Sequence, residues 1–100
     1  MRKIFNAAIA SLLLVIANAS LAGDVAAGKS RAASCSGCHG TDGISANPLW
    51  PNLAGQKAAY LLKQLKAFRD GTRSDPMMTP MAKPLSDADM ANLAAYFASL

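Results

Sequence analysis

The chain has one histidine, two cysteines, one tryptophan and six acidic side chains in 100 residues. These shortages exclude much. A zinc centre takes about four ligands, and Cys35, Cys38 and His39 are the only Cys and His, so a carboxylate would have to complete one. No stretch alternates apolar and polar residues as a half-buried strand does, and no internal repeat or second domain is visible. A thioredoxin-like C-x-x-C needs a βαβ context, which is missing. No arginine-rich run or aromatic stacking platform supports nucleic-acid binding, although the isoelectric point of about 9.4 would invite it.

There is also no apolar run of the roughly 20 residues that a membrane span needs. The longest runs from about Ile4 to Ile16. It follows a basic start, Met1-Arg2-Lys3, and precedes the small residues Ala17-Asn18-Ala19 and Ser20-Leu21-Ala22. That order predicts a secretory signal peptide over 1–22, cleaved after Ala22, with Ala19 as the second choice and an uncleaved anchor as the alternative. Export points to the periplasm, with no membrane span after cleavage. One domain over 23–100 remains, small enough to need a staple beyond its own apolar core. The formal charge of +4 includes Arg2 and Lys3; without them eight basic side chains face six acidic ones.

What the chain does have is Cys35-Ser36-Gly37-Cys38-His39. C-x-x-C-H reads as covalent attachment of a c-type haem. Two thiols at this spacing can each add to one vinyl group on one porphyrin edge, and the next residue then lies under the iron with a ring nitrogen to offer. A disulfide between the cysteines would leave His39 without a task. Covalent haem of this kind belongs outside the cytoplasm, and an apolar macrocycle is the staple that the small core lacks.

Along the chain, an alanine-rich helix is predicted from about Val25 to Ser36, with Asp24 as N-cap. Gly28 is a poor helix former, either a tolerated glycine or the mark of a close approach by another helix. Residues 40–55 read as loop, rich in Gly, Asp, Asn and Pro. Its apolar anchors Ile44, Leu49, Trp50 and Leu53 predict that it wraps a haem face. A second helix runs from about Gln56 or Lys57 to Asp70, stopped by Gly71. Its stripe of Leu61, Leu65 and Phe68 serves as core and as a wall for the cofactor. Pro76, Pro80 and Pro84 forbid a long helix over 72–85, though a single turn fits. Ser86 and Asp89 form a capping-box-like pair for a last helix whose Met90, Leu93 and Phe97 share a face.

With His39 unique, the iron's other axial position cannot take a second histidine. A methionine is the remaining strong-field donor, and Met77, Met78 and Met81 crowd one late loop. His/Met ligation is the arrangement that raises a haem potential. Filled on both faces, iron has no open position for oxygen or substrate and is left to exchange electrons.

Cys35-Ser36-Gly37-Cys38-His39-Gly40, Trp50-Pro51-Asn52-Leu53-Ala54-Gly55-Gln56, Tyr60-Leu61-Leu62-Lys63-Gln64-Leu65, Met77-Met78-Thr79-Pro80-Met81 and Leu85-Ser86-Asp87 resemble class I bacterial cytochromes c, in particular the cytochrome c553 group and single domains of the cytochrome c4 type. The resemblance covers essentially all of the chain after the leader. It implies an all-α cytochrome c fold: three main helices and loops wrapped around one covalently bound haem. Cys35 and Cys38 would hold the haem, Leu53 and Leu65 would contact it, and His39 would ligate the iron. Counting eight residues back from Ser86, the family's axial methionine falls on Met78, with Met81 and Met77 as its neighbours. Pro51 matches the proline whose carbonyl accepts a hydrogen bond from the ligand histidine, and Gly28 and Tyr96 match the crossing of first and last helices. The function implied is that of a periplasmic one-electron carrier, not an enzyme. It would work as a monomer between protein redox donors and acceptors, with no nucleic-acid partner. The alternatives are a haem-bearing relay subunit of a larger oxidoreductase complex and a haem protein with a vacant sixth position. One departure is length: c4-type proteins carry two such domains, and this chain has room for one.

Overall fold

Ser86 begins the helix on which the others pack. Its hydroxyl accepts from the Asp89 N–H and the Asp89 carboxylate accepts from the Ser86 N–H, both at 3.0 Å, which closes the capping box. Two of the donors that a helix start leaves orphaned are thereby satisfied. The computed structural model describes residues 23–100; the leader assigned to 1–22 lies outside them. In chain order the elements are α1 (Val25–Arg31), a 3-10 turn (Ala32–Ser34), α2 (Ser36–His39), α3 (Ala58–Asp70), α4 (Met78–Ala82) and α5 (Asp87–Ala98). There is no strand among the described residues, so the all-helical expectation holds, with α1, α3 and α5 as the main helices.

α5 packs on α1 and on α3, and α3 packs on α4. Met90 and Leu93 are fully buried, and Phe97 and Tyr96 nearly so, in one cluster with Ala32, Leu61, Leu85 and Ala94. The predicted apolar face of the last helix is therefore the centre of the core.

The α1–α5 crossing depends on having no side chain at position 28. A Cβ there would run into the Asn92 carbonyl and lie 2.8 Å from the Tyr96 Cβ. Gly23 meets α5 in the same way at the carbonyl of Ala91, the residue before Asn92. Asp24 fastens this end twice. Its carboxylate caps α1 by accepting from the Ala26 and Ala27 N–H groups, and its own N–H donates to Asn92 Oδ1 at 2.8 Å.

The first helix differs from expectation. It does not run unbroken from Val25 to Ser36 but tightens into a 3-10 turn at Ala32–Ser34 and resumes as α2 through His39. Serines supply the reason. Ser34 Oγ donates to the Arg31 carbonyl and Ser36 Oγ to the Ala32 carbonyl, back-bonds that compete with the helix ladder and bend it. Cys35 follows this turn directly, and Cys38 and His39 lie in α2. Arg69 links two helices. Its guanidinium reaches Asp87 at the start of α5 (2.6 Å), Asp70 (2.8 Å) and the Leu85 carbonyl, tying the end of α3 to the start of α5.

Two outcomes follow. Gly28→Ala gains helix propensity but must displace the α5 backbone, and the clash outweighs the gain. The expected loss is about 1–3 kcal/mol, seen as a lower Tm at roughly 4–8 °C per kcal/mol. Hydrogen bonding to Arg69 holds the Asp87 and Asp70 carboxyls below their ordinary range. A depressed carboxylate stabilises the fold above its unfolded pKa of about 3.9 and ceases to as pH falls through its lower folded value. Arg69→Gln should therefore lower Tm at pH 7, and the gap to the parent should close near pH 2.

Candidate haem site

α2 is one helical turn, and it delivers the three residues of the C-x-x-C-H motif to one place. It ends because Gly40 takes a φ of 86°, a backbone region that only glycine enters without strain, so the chain turns away directly after His39. His39 is buried, 6% exposed. Its Nδ1 lies 2.8 Å from the Pro51 carbonyl oxygen. A carbonyl only accepts, so Nδ1 carries the proton and donates, leaving the Nε2 lone pair for another partner. Such a bond fixes the ring's orientation and raises its basicity as a ligand.

The 40–55 loop is built to hold that carbonyl still. The Gly43 carbonyl accepts from the N–H groups of both Leu53 and Ala54, at 2.8 and 3.0 Å, which closes the loop on itself. Within it, the Ser45 N–H donates to Asn52 Oδ1 (2.7 Å) and Ser45 Oγ to the Cys38 carbonyl (3.2 Å). The Gly55 N–H donates to the Phe97 carbonyl at the end of α5. Pro51 is thus framed by bonds to the motif on one side and to the core helix on the other.

These elements enclose a cavity of about 490 Å3, within the range of ligand pockets, and its walls are mainly apolar. Cys35, Cys38, His39, Pro51, Leu53, Leu65 and Met78 all line it, whereas Ile44, expected among the loop's apolar anchors, lies outside it and is exposed. Met77 and Met81 line it as well, as do Trp50, Leu61, Phe68 and Leu93. The stripe of α3 and the face of α5 therefore serve the core and the cavity at once. Leu49, Met77 and Met81 stand at its exposed side; Leu49 is 84% exposed.

The chemistry of this donor set fits one haem c. The two thiols are not joined to one another. Burial pushes the Cys35 thiol up, the reverse of the lowered pKa that makes a reactive redox cysteine. No cluster of three or more His, Cys, Asp or Glu suited to a bare metal ion occurs among the described residues. An imidazole nitrogen and a thioether on the walls of one apolar cavity, with two thiols beside them, suit a large apolar macrocycle with an iron at its centre.

Some residues of the site escaped sequence reasoning. Asp75 and Thr79 brace the α4 turn that carries Met78. Asp75 Oδ1 accepts from the N–H groups of Met77 and Met78, each at 2.8 Å, and these bonds hold its carboxyl below the ordinary carboxylate range. The signal was present: Asp followed by Pro is a helix-start pattern, masked by the density of prolines. Arg73 lies over the Phe68 ring, 4.5 Å from its centroid, and donates to Gln64 Oε1. Only the fold reveals that stacking.

Comparison with known proteins agrees with the site. The cytochrome c family model matches residues 25–100. Cytochrome c-554(548) of Halomonas halodenitrificans is 52% identical over 81 residues, covering 78% of this chain and 98% of that protein. Cytochrome c4 of Pseudomonas aeruginosa is 50% identical over 97 residues, covering 94% of this chain and 48% of its own length. The crystal structure of reduced recombinant cytochrome c4 from Pseudomonas stutzeri superposes with a TM-score of 0.74 at 46% identity, over 78% of this chain and 46% of that one. The chain thus spans nearly all of one relative and about half of the c4 proteins. With two thiols, one imidazole and a methionine loop around a single apolar cavity, the chain belongs to the cytochrome c family, an all-helical domain that binds haem c through Cys35 and Cys38.

Proposed function

We propose that the protein is a periplasmic monohaem electron carrier whose iron is held between His39 and Met78. One observation carries this reading: the imidazole with its Nε2 left available and the Met78 side chain line the same cavity as the two attachment thiols. Bound there, the haem supplies an iron that gains and loses one electron. The chain does the rest. Cys35 and Cys38 fix the macrocycle covalently. Pro51 keeps the His39 ring aligned. Leu53 and Leu65 form apolar wall against the macrocycle. His39 and Met78 would hold the iron between them and leave no place on it for oxygen or a substrate. A thioether favours the softer ferrous state, and His/Met ligation raises the potential. Apolar walls act in the same direction, because low polarity disfavours the added positive charge of the ferric form.

The partners in this reading are protein redox donors and acceptors. They would approach the exposed side of the cavity, where Leu49, Met77 and Met81 offer an apolar contact surface. Lys57, Lys63 and Lys83 are also exposed and would attract an acidic partner. Among the described residues no helix is long and apolar enough to cross a membrane. The signal peptide over 1–22 would take the chain to the periplasm, where it works as a monomer.

Met78→Ala in the purified haem protein should abolish the ferric absorption band that arises from methionine-to-iron charge transfer. It should also lower the midpoint potential in a spectroelectrochemical titration and open the reduced iron to carbon monoxide at neutral pH. An intact band and potential would move the ligand assignment to Met81 or Met77. Carbon monoxide binding by the unsubstituted reduced protein would overturn the carrier reading.

A further inference from the structure

α4 is too short to hold itself in place. It has five residues, Met78–Ala82, and the cost of nucleating a helix is not recovered over so few. Pro80 within it has no N–H to give. The backbone that carries Met78 is instead held by the residues just before and after. Asp75 Oδ1 accepts from the Met77 and Met78 N–H groups, both at 2.8 Å. The Asp75 N–H donates to Thr79 Oγ1 at 3.0 Å, and the Thr79 N–H donates to the Asp75 carbonyl at 3.1 Å. Four hydrogen bonds therefore close a ring over residues 75–79 with Met78 inside it. Among the described residues no other side chain bonds to the Met77 or Met78 backbone. Pro76 stiffens the segment that the ring closes. Farther along, the buried Ala82 and Leu85 anchor its other end.

A thioether is an uncharged, weak donor. Its bond to a metal lasts only while the backbone brings the sulfur back each time it leaves. All four bonds lie within residues 75–79 and fix the shape of the turn: moving the Met78 backbone out of that shape means breaking the two bonds to Asp75, and losing Thr79 Oγ1 loosens Asp75 itself. We propose that Asp75 and Thr79 are positioning residues: a side-chain clasp that sets how firmly Met78 stays on the iron and so how closed the sixth position is. This rests on the assignment of Met78 as axial ligand.

The test uses the purified haem-loaded protein with Asp75→Ala, Asp75→Asn, Thr79→Val and, as reference, Met78→Ala. Two signals are read in the ferric state: the methionine-to-iron band, and the rate at which added imidazole takes the sixth position. Asp75→Ala and Thr79→Val should each weaken the band and speed imidazole entry roughly fivefold, the factor expected for loss of one capping interaction. Asp75→Asn retains an acceptor at the same place and should return both signals most of the way to the parent. If Asp75→Ala lowers thermal stability while band and imidazole rate stay at parent values, the clasp is only a helix cap and the proposal is overturned. Should Asp75→Ala fail to yield haem protein, Thr79→Val decides by the same two signals, and parent values overturn the proposal. The reference separates the two claims. If Met78→Ala keeps the band, the ligand assignment and the clasp both fall. If it abolishes the band while Asp75→Ala and Thr79→Val leave it intact, only the clasp does.

Discussion

The fold depends on a space that its own side chains do not fill. A cavity of about 490 Å3 sits inside a domain of fewer than eighty residues. Its walls are mainly apolar, and apolar surface left to water costs about 25 cal/mol per Å2. An apolar macrocycle held by Cys35 and Cys38 would cover that surface, so the covalent link serves the fold as well as the chemistry.

Around that space the chain divides the labour. α5 carries the protein's own core through Met90 and Leu93, and the Gly28 and Gly23 crossings let α1 lie directly on it. α3 and the 40–55 loop serve the cavity. The same residues often do both, which is how so short a chain builds a core and a site together: Leu61, Leu93 and Phe97 each touch the core cluster on one side and the cavity on the other. The histidine side is held by the continuous network from α2 through Ser45, Asn52 and Gly55 to α5. The methionine side is held by a five-residue turn, three prolines and the Asp75–Thr79 ring. The histidine side is thus tied to other elements by hydrogen bonds, whereas the bonds of the methionine turn lie within residues 75–79.

Much of this is legible in the sequence. Spacing carried the motif, because thiol–vinyl chemistry needs two cysteines three apart and a ligand directly after them. Capping chemistry located three helix ends, since Asp24, Gly71 and Ser86 act through bonds to their nearest neighbours in the chain. The stripes of α3 and α5 followed from the helical period. Less legible were the features in which local rules compete. The break at Ala32–Ser34 arises where serine back-bonds outweigh an alanine-rich helical run, and propensity alone does not report that balance. The single turn that the prolines allow is there as α4, but its bracing by Asp75 and Thr79 is not legible from proline spacing alone.

The sequence by itself determined the chemistry: which atoms can bond to a haem, that one histidine forbids a second imidazole ligand, and that a methionine loop lies late enough to face it. These are statements about residue type and separation along the chain, and they hold before folding. Only the tertiary structure decided how those atoms are brought to bear. It set the proton of His39 on Nδ1 by placing the Pro51 carbonyl 2.8 Å away, and it brought Leu53, Leu65 and Met78 to the walls of one cavity with the thiols. It also joined two helices through Arg69 and stacked Arg73 on Phe68. Each of these depends on distances between residues far apart in the chain, and those distances exist only after the α1–α5 crossing and the closed loop have put the backbone in place.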